Sequence, residues 1–104
     1  MIVEQFQVRD GEAPGEASLV VFGEVDLVSR DVFVRQLEVL LDRAPTRAVV
    51  DMTDVAFMDS TGVHALLGAD ELARGRGTRL EVRASPQVRR VLELLGLLDT
   101  LTVD

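Results

Sequence analysis

The chain of 104 residues contains no cysteine, which removes disulfides, thiolate nucleophiles and thiolate metal sites and is compatible with a reducing compartment. It also contains no lysine, since all 11 basic residues are arginine. A P-loop lysine, the lysine of a kinase ATP site and a Schiff-base lysine are thereby excluded. Long apolar runs are missing as well. The longest uncharged apolar stretches, such as Ala17 to Gly23, fall far short of the roughly 20 residues that span a bilayer. The opening Met1-Ile2-Val3-Glu4 lacks the basic and apolar regions of a signal peptide, so the expected location is the cytoplasm, with no membrane partner. Positive charge is scarce: 18 acidic residues leave a formal charge of −7, which repels a phosphate backbone and argues against direct nucleic-acid binding. The length suits one domain, residues 1–104, with a single hydrophobic core.

What is present reads as alternating strands and helices. Ile2, Phe6 and Val8 alternate with polar residues, a turn cluster Asp10-Gly11-Glu12-Ala13-Pro14-Gly15 follows, and Leu19-Val20-Val21-Phe22 is densely apolar. These are expected to be two antiparallel strands. A helix is expected from Ser29, its N-cap, to Arg43, with Phe33, Leu37, Leu40 and Leu41 on one face and Pro45 just beyond its end. The run Ala48 to Met52 predicts a central strand followed by a short connection, parallel to the second strand because a helix joins them. The next helix, after Ser60, places Gly62, Ala65, Leu66, Ala69, Leu72 and Ala73 on its packing face and stops at Gly75-Arg76-Gly77. Leu80-Glu81-Val82-Arg83 predicts a further strand, and Ser85-Pro86 begins a helix carrying Val88, Val91, Leu92 and Leu95 to a stop at Gly96. No state is assigned to the apolar tail from Leu97. The order β-β-α-β-α-β-α predicts an α/β fold with a mixed sheet of four to five strands backed by helices.

The chemistry concentrates in Asp59-Ser60-Thr61-Gly62, at a strand-to-helix corner. A small hydroxyl beside a carboxylate at a helix N-terminus is a place where an added phosphate can act as a switch. The plainer alternative is that Ser60 caps the helix by accepting a backbone N–H, while Gly62 permits close packing. Val63 and Leu67 fall off the predicted packing face beside Ser60 and are read as a possible binding patch, unless the adjacent connection buries them. Gly23-Glu24-Val25-Asp26 ends a strand and offers an acidic loop, equally readable as a turn with a solvated carboxylate. His64, four residues after Ser60, raises the idea of a hydroxyl nucleophile with a base. No orienting group or oxyanion pocket is specified for it, and a surface histidine is the preferred reading. Asp51, Asp54 and Asp59 lack the spacing of a calcium loop, so no metal site is assigned. Arg74, Arg76, Arg79 and Arg83 read as a solvated face rather than an anion site.

Taken in order, Gly23-Glu24-Val25-Asp26, Val49-Val50-Asp51-Met52, Phe57-Met58-Asp59-Ser60-Thr61-Gly62, Arg74-Gly75-Arg76-Gly77 and Val88 through Leu97 resemble the STAS domain family, specifically its single-domain anti-sigma factor antagonists. The resemblance spans nearly the whole chain. It implies a non-enzymatic protein without cofactors that binds an anti-sigma factor serine kinase when unphosphorylated, so that the sigma factor is freed. It further implies phosphorylation at Ser60 by that kinase and reversal by a metal-dependent serine phosphatase. The resemblance places Asp26 on the partner surface beside Ser60, and with the corner and the patch described above the expected partner-binding set is Asp26, Asp59, Ser60, Thr61, Gly62, Val63 and Leu67. His64 stands where many relatives have glycine. Some family members act instead as non-switching scaffolds or transporter-associated subunits, which is the alternative reading.

Overall fold

The computed structural model describes residues 5–104, so the expected contribution of Ile2 to the first strand lies outside the described residues. Its elements are β1 (Phe6–Asp10), β2 (Glu16–Val25), α1 (Arg30–Asp42), β3 (Arg47–Met58), α2 (Ser60–Gly75), β4 (Arg79–Ala84), α3 (Pro86–Leu94) and β5 (Thr102–Val103). They form the expected α/β fold around one mixed sheet of order β1-β2-β3-β4-β5. β1 pairs antiparallel with β2, and every later neighbour is parallel, as helical crossovers require.

Side-chain alternation decides which face of the sheet is covered. Along β2, Ala17, Leu19 and Val21 are buried while Ser18, Val20 and Phe22 between them are half-buried. The inward set continues through Ala48, Val50 and Met52 of β3 and Leu80 and Val82 of β4, and joins one core with apolar side chains of all three helices. α1 contributes Phe33, Leu37, Leu40 and Leu41, as its spacing predicts, and Phe33 stacks on Phe6 with ring centroids 5.6 Å apart. On the opposite face Arg47 ties three strands together. Its guanidinium bonds Glu16 of β2 at 2.6 Å and also Glu81 of β4. The hydrogen bond from Arg47 holds the Glu81 carboxyl below its usual range, and the two carboxylates push the Arg47 pKa upward.

β3 extends beyond the predicted strand and takes in the predicted connection. Val20 pairs with Asp51 but Phe22 with Asp54, and Gly23 pairs with Val55 but Glu24 with Phe57. Each step places one extra residue on β3, so two bulges bend its C-terminal half. Burial accordingly changes from alternation to Met52, Val55 and Met58 inside, with Phe57 turned out. This bend aims the end of β3 toward the start of α2.

The chain end also takes a definite place. Leu97 accepts backbone bonds from Thr100 and Leu101, Leu101 is buried, and β5 then pairs in parallel with Glu81 and Val82 of β4. α3 starts as its sequence predicts. Ser85 Oγ accepts from the Val88 N–H at 3.1 Å with Pro86 in the first turn, satisfying one of the donors a helix start leaves free.

Candidate functional site

The corner between β3 and α2 is built by Asp59 rather than Ser60. Asp59 has extended backbone and is the N-cap: its carboxylate accepts from the Thr61 N–H at 2.9 Å and from the Thr61 hydroxyl. Those bonds, the Thr61 hydroxyl first, hold the Asp59 pKa below the usual carboxylate range. The cap reading of Ser60 is therefore corrected. Ser60 is the first residue inside the helix and is exposed, and among the described residues nothing hydrogen-bonds its hydroxyl.

Gly62 fixes how closely this corner approaches the sheet. A Cβ there would lie 2.6 Å from Met58 Cγ and 2.9 Å from Val25 Cγ1, so any larger residue forces the helix start away from both strand ends. Val63, expected at the surface, is 2% exposed and packs in the core. One residue past the glycine that presses α2 onto the sheet, it faces the sheet too, and Leu72 rather than Val63 turns outward, at 38% exposure. Leu67 is half-buried against the core edge, Thr61 is half-buried, and His64 is exposed.

The acidic loop lies beside this corner. The Asp59 N–H donates to the Val25 carbonyl at 3.2 Å, which joins the end of β2 directly to the cap of α2. Asp26 follows immediately. Its Oδ1 accepts from the Val28 and Ser29 N–H groups at 3.1 and 3.2 Å, while Ser29 Oγ accepts from the Asp26 N–H at 3.0 Å. Ser29 is thus the N-cap residue of α1 by position, but Asp26 supplies the side-chain acceptor, and the pair locks the loop. The structure brings Asp26, Asp59, Ser60 and Thr61 to one end of the sheet, where its parallel strands terminate.

Sequence reasoning missed an apolar rim around this acidic end. Phe57 is 50% exposed, Leu27 64% and Val28 92%. Leu27 and Val28 follow Asp26 directly, and that adjacency was the available signal. Phe57 carried none, because its outward turn depends on the bulges of β3.

The other polar groups have local partners. Asp51 accepts from the Thr53 N–H and hydroxyl at 3.1 and 2.7 Å, and among the described residues no group of three metal-ligating side chains converges. Arg74, Arg76 and Arg79 pair with Asp70, Asp42 and Glu81. Among the described residues neither the Ser60 hydroxyl nor the His64 ring has a hydrogen-bond partner. None of the described helices is long and apolar enough to cross a membrane.

The family described as "Mlab, STAS domain" matches residues 8–103, and the chain belongs to the STAS family. Among individual relatives, it is 30% identical over 86 residues to an anti-sigma-B factor antagonist of Listeria monocytogenes, covering 82% of this chain and 75% of that one. Its structure is similar to that of an anti-sigma factor antagonist from Mycobacterium paratuberculosis, with a TM-score of 0.84 and 26% identity, over 94% of this chain and 82% of that one. It also shares the fold of the anti-sigma factor antagonist SpoIIAA in its unphosphorylated form, with a TM-score of 0.76 and 23% identity, over 95% of this chain and 87% of that one.

Proposed function

We infer that this protein is an anti-sigma factor antagonist of the cytoplasm that binds an anti-sigma factor serine kinase through the acidic end of its sheet and is released when Ser60 is phosphorylated. The observation that carries this reading is the division of labour at the corner. Because Asp59 caps α2, the Ser60 hydroxyl has no structural task and is presented to solvent on the first turn of a helix. The antagonist names of its relatives support the same reading. A serine phosphatase restores the free hydroxyl. ATP and its metal belong to the kinase, so this chain needs no cofactor of its own.

Asp26, Asp59, Ser60 and Thr61 form the polar part of the partner surface, with Leu27, Val28 and Phe57 as its apolar rim. Gly62 sets the height of the corner from within, and Leu67 borders the surface at the core edge. Val63 contributes only through the core. A phosphate on Ser60 adds about −1.5 to −2 charges at neutral pH. The helix N-terminus favours that charge by about 0.3–1 kcal/mol, so the domain stays folded. Against it stands the Asp59 carboxylate. At about 6 Å, one like-charge pair costs about 0.7 kcal/mol while both groups face water, and on the order of 3 kcal/mol at an effective dielectric near 20 once a partner covers them. A similar repulsion or desolvation across an interface weakens binding about 100-fold. The switch is local: it changes what the surface can bind and leaves the fold in place.

The test is incubation with the cognate kinase and ATP followed by mass-spectrometric mapping of the phosphate. A single phosphate on Ser60, with Ser60→Ala unmodified and still bound to the kinase, is the expected result. Phosphate elsewhere, or none together with a stable complex insensitive to ATP, refutes the switch and favours a scaffold role.

A further inference from the structure

We propose that His64 is the counter-cation of the phosphoryl group on Ser60 and keeps that group dianionic to lower pH. The proposal rests on Ser60 being the modified residue. It is carried by a pair of side chains that the fold leaves idle. Ser60 and His64 stand at positions i and i+4 of α2, both are exposed, and among the described residues neither side chain has a hydrogen-bond or ion-pair partner. Side chains at this spacing share one face of a helix, with Cβ atoms about 5–6 Å apart. A helical side chain also leans toward the helix N-terminus and covers the turn before its own Cα, which puts Ser60 within the range of the His64 imidazole.

The surroundings leave the ring available for this. His64 borders a groove of about 290 Å³ between α1 and α2, whose other lining residues include Val34, Leu37, Leu41 and Leu72. The charged group facing it from α1 is Glu38. At the N-cap of its own helix stands the Asp59 carboxylate, which is occupied by Thr61. No arginine lines the groove. A phosphoserine dianion four residues away carries more charge than the single Glu38 carboxylate and competes with it for the ring.

Two consequences follow from the ordinary chemistry of the groups. Phosphoserine takes its second proton near pH 6, and a cation beside it favours the dianion, so the pairing lowers that midpoint. The imidazolium draws the phosphate onto it. A paired phosphate is less available to a phosphatase, so the phosphorylated state is held longer.

The experiment installs phosphoserine at position 60 during translation, which makes it independent of any kinase, and follows the phosphorus NMR signal through a pH titration. The phosphate midpoint is expected to be lower in the natural sequence than in His64→Gln by about half a pH unit, the size of one exposed charge pair at this separation in water. His64→Arg should keep the low midpoint, and Glu38→Gln should leave the difference in place. The imidazole ring-proton midpoint should rise on phosphorylation. Equal phosphate midpoints in the natural sequence and His64→Gln overturn the proposal. Failure of the kinase experiment above touches only the identity of the modified residue, so the two results are separable.

Discussion

Removing the Asp59 carboxylate distinguishes the two possible roles of the corner. Asp59→Ala deletes the acceptor of the Thr61 N–H at 2.9 Å and of the Thr61 hydroxyl, and leaves a donor of the first turn without a protein partner. Loss of such a cap costs about 1 kcal/mol, with an upper range near 2. For a domain of this size the melting temperature falls on the order of 5 °C. Asp59→Asn keeps an acceptor and loses less. Ser60→Ala removes no hydrogen bond among the described residues and should change stability by less than about 0.5 kcal/mol. With neither tryptophan nor tyrosine in the chain, urea unfolding is followed by far-UV circular dichroism rather than by intrinsic fluorescence. The pH dependence has a defined sign. Because the folded pKa of Asp59 is depressed, its contribution is complete above the unfolded value of about 3.9 and is lost as the pH falls through the folded value. The gap between the natural protein and Asp59→Ala therefore narrows in acid. If Ser60→Ala proves as costly as Asp59→Ala, Ser60 is a structural cap and the reasoning fails.

Further outcomes rest on other parts of the corner and sheet. Gly62→Ala should destabilise on the order of 1 kcal/mol by urea titration, since overpacking against Met58 and the stiff Val25 outweighs the gain in helix propensity. Arg47→Ala leaves Glu16 without its cation and Glu81 with only the exposed Arg79, and should lower the melting temperature more than Arg30→Ala, whose partner Asp31 is 88% exposed. The Glu81 share of that stability disappears as the pH drops through its depressed folded pKa, so the two variants converge in acid. Asp26→Ala frees the Val28 and Ser29 N–H groups and should weaken partner binding in a pull-down while far-UV dichroism stays unchanged.

Much of this architecture was legible because local chemistry and tertiary packing agree. The start of α3 is written in Ser85-Pro86, the buried face of α1 in Phe33, Leu37, Leu40 and Leu41, and the parallel pairing of β2 and β3 in the helix between them. Where the signal failed, the missing information was non-local. Two bulges carry β3 through to Met58, and a bulge is set by the partner strand rather than by the residues that form it. β5 is two residues long and exists because Val82 and Glu81 are there to pair with it. At the site, the motif located the corner but not its division of labour. Serine and aspartate are both good caps, and only the geometry of Thr61 shows which of them is used. Val63 was misplaced because the periodicity of α2 gives a face but not the tilt that Gly62 allows.

The central claim is tested most directly by measuring the affinity of the anti-sigma factor for this chain carrying either serine or phosphoserine at position 60. Binding is expected to be about 100-fold weaker for the phosphorylated form, a loss of about 2.8 kcal/mol, with an unchanged far-UV spectrum. Equal affinities for the two folded forms would contradict it.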